Sequence, residues 1–176
     1  MLTHIGIINV RGEAVSADVC EERVLSSARK ILEGSVLCSI ATVSPDNRAH
    51  INIAYAAYTE DLRLCFLSHP TAHHCRNLDS NASMAISIYH SAQKWGGLDR
   101  GLQLFGNSCA ATGPDALSAA QVYGRRFPSY QQWTNSLTEE DPGREYRLYW
   151  FSTARLKISD ELEFGNGVFV TATVQR

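Results

Sequence analysis

Apolar residues near the amino terminus recur at helical spacing. Val24 and Ile31 lie two helical turns apart, and Asp18 with Glu21 three residues later has the spacing of a capping box. These signals predict a helix over Val19–Glu33.

Beyond residue 35 the apolar period becomes two, as in β-strands. Three alternating runs predict strands over Val36–Val43, His50–Tyr58 and Leu62–Phe66, separated by the turn formers of Ser44–Arg48 and Thr59–Asp61. Because such short turns join only antiparallel neighbours, the three strands form a meander. The second strand has a mainly apolar face formed by Ile51, Ile53, Tyr55 and Ala57. Its other face is more polar and is formed by His50, Asn52, Ala54 and Ala56.

The rest of the chain alternates between strand and helix signals. Four further strands are predicted over Met84–Tyr89, Leu102–Ala111, Tyr146–Ile158 and Val168–Val174. A short helix is predicted over residues 72–78, a second opens at Gly113-Pro114-Asp115 and stops near Phe127, and residues 129–143 are predicted as loop or frayed helix. At least six strands with two or three helices and no linker predict a single domain, residues 1–176, built as a small closed barrel whose ends the helices cover.

Composition narrows the classes of function. An apolar fraction of 44% and a charged fraction of 19% are typical of a globular domain. The formal net charge is −2 and the basic residues form no stripe, which argues against nucleic-acid binding. No apolar run approaches the ~20 residues of a membrane-spanning helix, and Met1–Val10 lacks the basic leader and cleavage site of a signal peptide. We therefore expect a cytoplasmic protein that binds neither nucleic acid nor membrane.

Cysteine and histidine offer no clear metal or thiol chemistry. The cysteines are five in number, far apart and without a C-x-x-C pair, so small buried hydrophobes in a reducing cytosol are favoured over a thiol catalyst or metal site. His69, His73 and His74 have possible zinc spacings, but nothing else in the sequence completes a tetrahedral set, and we expect no metal. The cysteines are Cys20, Cys38, Cys65, Cys75 and Cys109.

Several motifs follow one another in a distinctive order. They are Pro45–Arg48, His50–Tyr55, Leu67-Ser68, His73–Asn81, Arg100–Gly106 and Asp160–Phe169. The ordered set resembles the FMN-binding split-barrel family related to pyridoxamine 5'-phosphate oxidase. The resemblance implies a mainly β fold with flanking helices, namely a six-stranded antiparallel split β-barrel that binds FMN. It also implies a homodimer whose cofactor site is built from both chains.

The same resemblance implies which residues hold the cofactor. The strand along the flavin corresponds to Asn52, Ile53, Ala54 and Tyr55. The strand end beside it corresponds to Leu67 and Ser68. The segment that completes the site corresponds to Trp95, Arg100, Gly101 and Gln103. The C-terminal aromatic that meets the ring corresponds to Phe164 with Gly165.

The cofactor phosphate needs a receptor, and the loop-to-helix junction Ser68–His74 can supply one. Backbone N–H groups at a helix start attract anions. Thr71 adds a hydroxyl, His73 or His74 can carry a proton, and the two histidines match the basic pair of the oxidases. Without the resemblance to the family, the same residues would be explained by an ordinary capped helix with two solvated histidines.

Three features depart from the oxidases. The phosphate-binding Arg-Lys pair is His73-His74 here, and a glutamine that follows the fifth-strand arginine is Gly101, although Gln103 lies on the same strand face. The C-terminal Arg-x-His-type substrate motif has no match. This last difference argues against pyridoxamine phosphate as the substrate.

We therefore predict an FMN-dependent oxidoreductase that acts on a small organic substrate, with the cofactor supplying the redox chemistry. Tyr55 is the one candidate general acid or base. The rival prediction is a non-catalytic binder or sensor of flavin, heme or a deazaflavin, because one fold hosts many functions. His90, at a strand end, is a candidate heme ligand, although such a residue is more often a satisfied edge histidine.

Overall fold

The computed structural model describes residues 1–16 and 18–176. In chain order the elements are β1 (Leu2–Asn9), β2 (Ala14–Val15), α1 (Glu21–Glu33), β3 (Leu37–Val43), β4 (Ala49–Tyr58), β5 (Arg63–Ser68), α2 (His73–Ser80), β6 (Ser83–Tyr89), β7 (Arg100–Ala110), α3 (Pro114–Arg126), α4 (Ser129–Ser136), a single 3-10 turn (Pro142–Glu145), β8 (Arg147–Asp160), α5 (Glu161–Phe164) and β9 (Val168–Val174).

Six strands close a barrel. Their order is β8-β5-β4-β3-β6-β7, and β7 pairs back onto β8. All of these pairings are antiparallel. β9, β1 and β2 extend the sheet outward from β8. The predicted mainly β fold, a six-stranded antiparallel split barrel with flanking helices, is confirmed.

Inward-pointing residues in register fill the barrel. Ile40 on β3 pairs with Ile86 on β6, which pairs with Leu104 on β7 and then Leu156 on β8. All four side chains are buried. Burying a side chain of this size stabilises the fold by about 1.5–3 kcal/mol. The fifth member of this rung is Asn52 on β4, so a polar side chain enters an otherwise apolar layer.

The barrel is split between β4 and β5. Residues 49–55 of β4 pair with β3, whereas pairing with β5 covers Ala56–Tyr58 in the described residues. The far end of β5, Leu67 and Ser68, pairs with β8 instead. The two strands therefore diverge and leave one edge of β4 without a strand partner.

Helix α2 lies over the barrel interior beside this split. Its Asn77 side chain donates a hydrogen bond to the Thr42 hydroxyl on β3, with an Nδ2–Oγ1 distance of 2.9 Å. Both residues are buried. Because a buried amide that loses its partner is costly, this bond fixes the position of α2 on the barrel.

Helix α3 covers the outside of the barrel. Ala57, Cys65 and Trp150 point outward from β4, β5 and β8 and form a second apolar cluster with the helix. The Trp150 indole donates to the Asp115 carbonyl (3.1 Å), which ties the helix start to the sheet. No helix in the described residues combines the length and apolar character needed to cross a membrane.

The amino terminus differs from the sequence prediction. The mildly apolar first residues form β1, which pairs with β9. The Leu2 amide donates to the Glu21 carboxylate (2.5 Å), so this carboxylate serves the strand and not a capping box. Helix α1 begins at Glu21, with Cys20 as an N-cap residue that makes no side-chain bond. The predicted capping box is wrong, because β1 brings a competing donor.

The cysteines are all free. Cys38, Cys65 and Cys75 are buried, and Cys20 and Cys109 are exposed. Burial raises the pKa of Cys38 and of Cys65 to about 12, so both thiols stay protonated. The interpretation as small buried hydrophobes holds for three of the five.

Candidate functional site

The split exposes backbone hydrogen-bonding groups along β4. The amide of Ala56 donates to the carbonyl of Val36 (3.1 Å), so the even-numbered residues of β4 direct their backbone groups towards β3. By alternation, the N–H and C=O groups of Ile51, Ile53 and Tyr55 point into the split. Such an edge can pair with a ligand that carries both donors and acceptors.

The side chains of β4 sort into two environments. Asn52 and Ala54 point inward and are half-buried, and the Asn52 amide donates to the carbonyl of Ile53 (3.2 Å). Ile51, Ile53 and Tyr55 point outward, and 69%, 67% and 55% of their surfaces are exposed. The more apolar face of the strand is thus the one that faces away from the core.

These outward residues belong to a larger apolar surface, which we call the open face. The register places Leu37 of β3 opposite Tyr55 and Ser39 opposite Ile53, and Ser39 in turn pairs with Ser87 of β6. A contiguous apolar surface of this kind marks an interaction site. The open face consists of the exposed residues Val36, Leu37, Ile51, Ile53, Tyr55 and Tyr89.

A buried polar pair lies at the inner end of the split. The Ser68 hydroxyl on β5 and the His74 imidazole on α2 are hydrogen-bonded, with an Oγ–Nε2 distance of 2.8 Å. Burial lowers the pKa of His74, and the neighbouring His50 and His73 lower it further. His74 is therefore a neutral imidazole near pH 7. The sequence had left open whether His73 or His74 would be the cation that faces the phosphate.

A second histidine pair lies at the surface. The rings of His50 on β4 and His73 on α2 are 4.2 Å apart between centroids and tilted by 32°. With Arg48 and the turn before β4 they line an open cleft of about 490 Å³. The Arg48 guanidinium is also 3.1 Å from the Asp46 carboxylate, and both of these side chains are exposed.

His50 was not among the predicted site residues. It belongs to the His50–Tyr55 motif and shares the strand face of Asn52, and these are the signals that could have identified it. Its proximity to His73 depends on how α2 lies over β3, which the sequence pattern does not fix.

The start of α2 presents backbone donors to the same region. Its N-cap residue is Ala72, and no side chain in the described part of the chain caps it. The N–H groups of the first turn are therefore open to an anion. The Thr71 hydroxyl, predicted to face a phosphate, lies 2.8 Å from Nδ1 of His69.

Arg100 is held in a partly buried ion pair. Its guanidinium donates twice to the Asp160 carboxylate, at 2.9 and 3.1 Å. Asp160 is 2% exposed and also accepts from the Ser27 hydroxyl at 2.7 Å. Removing one partner would leave a buried charge, so this triad anchors the start of β7 to α1 and β8.

The other predicted residues near Arg100 lie apart from the split. Gln103 is exposed and pairs with Ser87, which pairs with Ser39, which pairs with Ile53. Gln103 and Ile53 are therefore three strand spacings apart, or about 14 Å. Trp95 is fully exposed in the loop before β7, and Gly101 is half-buried at the start of that strand.

The C-terminal pair lies at the same end as Arg100. Phe164 packs its ring beneath the Arg23 guanidinium, 5.2 Å from the ring centroid. Gly165 follows it with φ of 93°, a left-handed conformation that favours glycine. The Glu161 amide donates to the Asp99 carbonyl (3.0 Å), which joins this segment to the start of β7.

The predicted site residues thus form two groups. Ser68 pairs with Arg147 at the beginning of β8, and Arg100 pairs with Asp160 at its end. Roughly 40 Å of strand separates these two ends of β8. One chain brings Asn52, Ser68, His73 and His74 together at the split, and leaves Trp95, Arg100, Phe164 and Gly165 elsewhere.

Comparisons with known proteins identify the family and the fold. The family model described as pyridoxamine 5'-phosphate oxidase matches residues 25–155. A comparison with curated proteins finds no match.

Solved structures with a similar fold include proteins of several kinds. A heme binding protein from Mycobacterium smegmatis superposes with a TM-score of 0.67 at 15% identity, over 90% of this chain and 60% of that chain, so the present chain spans only about three-fifths of its length. A protein related to general stress protein 26, from Clostridium acetobutylicum, gives a TM-score of 0.64 at 13% identity, over 88% and 97% of the two chains. A heme storage protein from Vibrio cholerae gives 0.59 at 16% identity, over 83% and 93%. At these identities the likeness shows the fold alone.

Proposed function

The chain belongs to the pyridoxamine 5'-phosphate oxidase family, and from that premise we propose that it binds FMN in the split between β4 and β5. We further propose that it acts as an FMN-dependent oxidoreductase on a small organic substrate, in the cytoplasm. The free cysteines fit a reducing compartment. The observation that carries the proposal is the meeting of three features: the edge of β4 that has no neighbouring strand, an open cleft lined by histidines and Arg48, and an uncapped helix start.

The phosphate end of FMN fits the cleft at α2. His50, His73 and Arg48 line it together with Asp46, whose carboxylate is 3.1 Å from the Arg48 guanidinium, and the first-turn N–H groups of α2 are uncapped. A phosphate dianion is stabilised both by positive side chains and by the amino end of a helix. Ser68 and His74 lie beneath this cleft as a neutral, hydrogen-bonded pair.

The ring end of FMN fits the edge of β4. The flavin ring has a polar edge with donors and acceptors, which suits the backbone groups of Ile51, Ile53 and Tyr55 that point into the split. The inward-pointing Asn52 adds a side-chain amide at the same edge. Bound FMN would supply hydride or electron-pair transfer, and the chain would bind and orient it.

Tyr55 is the candidate for proton transfer beside the proposed ring position. Its phenol is exposed at the outer lip of the split, and its ring meets Phe127 edge-on at 5.7 Å. We propose Tyr55 as the group that exchanges a proton with the substrate, since a phenol can act as a general acid or base.

We also propose that the protein is a homodimer formed through the open face. The open face is apolar and exposed in one chain, and a second copy is an occupant that would bury the same surface on both sides. Several predicted site residues lie away from the split of their own chain, and in a dimer they could reach the split of the other subunit. They are Trp95, Arg100, Gly101, Gln103, Phe164 and Gly165.

Heme is the second candidate ligand. The imidazoles of His50, which is half-buried, and His73, which is exposed, share one cleft, and imidazole is a common iron ligand. Two of the proteins with similar folds are described as heme binding and heme storage proteins. This alternative would make the chain a carrier or sensor.

The visible spectrum of the purified protein tests the proposal. Flavin absorption, followed by identification of FMN as the molecule released on denaturation, would support it. A Soret band or a released deazaflavin would favour the alternatives. Turnover with NADPH and oxygen would then separate an enzyme from a carrier, and flavin retention without turnover for any small acceptor would leave a binding protein.

A further inference from the structure

A continuous row of aromatic rings starts at the split and runs along α3 and α4. Neighbouring ring centroids are 5.7, 4.7, 5.1 and 6.0 Å apart, within the range of favourable ring pairs. We call this set the aromatic row, and in order it is Tyr55, Phe127, Tyr123, Tyr130 and Trp133.

The row has a packed middle and an open end. Tyr123 is buried against the outer surface of the barrel, where it joins the cluster under α3. Phe127 is half-buried and Tyr55 is mostly exposed. The open end, Tyr55 with Phe127, lies at the outer lip of the split, beside the β4 edge proposed to meet the flavin ring. Tyr55 is the member of the open face that contacts Phe127, so this end lies at the boundary of the proposed subunit contact.

The residues that pack around the middle of the row are apolar, and they include Ala57, Leu148 and Trp150. Burial raises the pKa of Tyr123 to about 12, and the charged forms of Cys65, Tyr130, Tyr55 and Cys38 raise it as well. Burial also raises the pKa of Tyr130, again with Cys65 as the neighbouring group. The middle of the row therefore lies in an apolar layer between α3 and the barrel.

The arginine next to Phe127 in the sequence is committed elsewhere. Arg126 donates to the carbonyls of Leu32 and Ser35, at the end of α1, the latter at 2.9 Å. Its guanidinium also lies 4.7 Å from the centroid of the Tyr58 ring. It is therefore held as a tether between α3 and α1 and is not free to pair with an anion at the open end.

We infer that the open end of the aromatic row is a substrate-binding wall that takes a planar, uncharged aromatic ring. The inference deepens the proposed function and rests on it, because the wall would hold that ring next to FMN. Aromatic side chains favour offset or edge-on contact with a ring, and a carboxylate or phosphate placed among them would lose its hydration without gaining a cation. The wall therefore selects both for planarity and against negative charge.

Two probes that share a ring and differ in charge test the inference. Calorimetry of the purified full chain at pH 7 should show binding of 2-naphthol, and binding of 2-naphthoate at least about tenfold weaker. Phe127→Leu keeps most of the apolar volume but removes the ring, and it should weaken 2-naphthol binding about threefold to tenfold. Phe169→Leu, which alters an aromatic residue beneath Lys157 on β9, is the matched control and should bind as the wild type does.

Thermal unfolding of each variant shows whether the fold is kept, and Tyr55→Leu provides a second test at a more exposed position. Equal binding of both probes, no binding of 2-naphthol, or unchanged binding in both row variants would overturn the inference. If the row variants weaken dimer formation and no probe binds, the row is a subunit contact. The flavin content of the same samples separates the two proposals. Retained FMN with failed probe binding refutes the wall alone, and Phe127-dependent probe binding without any FMN refutes the flavin alone.

Discussion

The Ser68 hydroxyl and the His74 imidazole form a hydrogen bond of 2.8 Å where the end of β5 meets the start of α2. The two side chains are only 7% and 5% exposed. This bond joins the two elements that border the inner end of the split. It therefore connects the stability of the fold with the shape of the proposed cofactor site.

Removing the serine hydroxyl should destabilise the protein. Ser68→Ala leaves a buried imidazole nitrogen without its partner, and we expect the free energy of unfolding to fall by about 1–3 kcal/mol. Thr71→Ala removes an exposed hydroxyl three residues away and should change it by less than about 0.5 kcal/mol. Urea unfolding measures both. Equal changes in the free energy of unfolding in the two variants would show that the buried hydrogen bond stabilises the fold no more than an exposed hydroxyl does.

His74 should also make stability depend on pH. Burial lowers its pKa in the folded chain, so the unfolded chain takes up this proton at a higher pH than the folded chain does. The contribution to the free energy of unfolding is then complete above pH ~6.5 and declines as the pH falls below that value towards the folded-state pKa.

Urea unfolding between pH 7.5 and 5 tests this dependence. The wild type should lose more stability over the range than His74→Asn, whereas His90→Asn, at an exposed histidine, should follow the wild type. Parallel curves for the wild type and His74→Asn would contradict the assignment.

The strands of the barrel could be predicted because their inward residues alternate strictly, but β1 could not. Leu2 and Ile7 are both buried although they are an odd number of residues apart. A register shift between Thr3 and Gly6, with His4 at φ of 50°, reverses the parity between them. The bulge removes the period of two on which the prediction depends.

The candidate site could be predicted only in part for a related reason. Alternation in β4 defined two faces, but it did not show that Ile51 and Ile53 point away from the core. Likewise, the partners of Arg100 and His50 are Asp160 and His73, which are distant in sequence. Such contacts depend on tertiary packing, and local patterns carry no information about them.

Asn52 should contribute to cofactor retention. Asn52→Leu replaces the polar member of an inward rung with an apolar residue of similar size, so the barrel should fold. The loss of the amide should weaken FMN binding roughly threefold to tenfold. Flavin content after purification and an FMN titration of the apo protein measure this, with Asn107→Leu on β7 as the control. Full flavin occupancy in Asn52→Leu would contradict the proposed position of the ring.

A charge on the open face should prevent dimer formation. In Ile53→Glu the new carboxylate would be buried by a second copy without a partner, and we expect sedimentation to show a monomer at micromolar concentration. Leu117→Glu is the matched control, because Leu117 is 70% exposed, close to the 67% of Ile53, but lies on α3 outside the open face. A wild-type protein that sediments as a stable monomer would refute the homodimer itself.

A permanent positive charge at position 73 should raise the affinity for FMN. His73 opens helix α2, whose start has no side-chain cap, and a lysine at this position remains charged between pH 6 and pH 8. A charge-assisted hydrogen bond to phosphate contributes about 1.5–3 kcal/mol, so its loss should weaken binding by about one to two orders of magnitude. His73→Lys should therefore bind FMN at least as tightly as the wild type at every pH in this range, and His73→Ala should bind it more weakly. Fluorescence titration of FMN into the apo protein measures all three curves. His69→Ala is the control, since that imidazole is paired with Glu145 at 3.1 Å. If the wild type and both His73 variants bind FMN alike at every pH, the phosphate lies away from the start of α2, and the cleft of His50 and His73 serves another ligand.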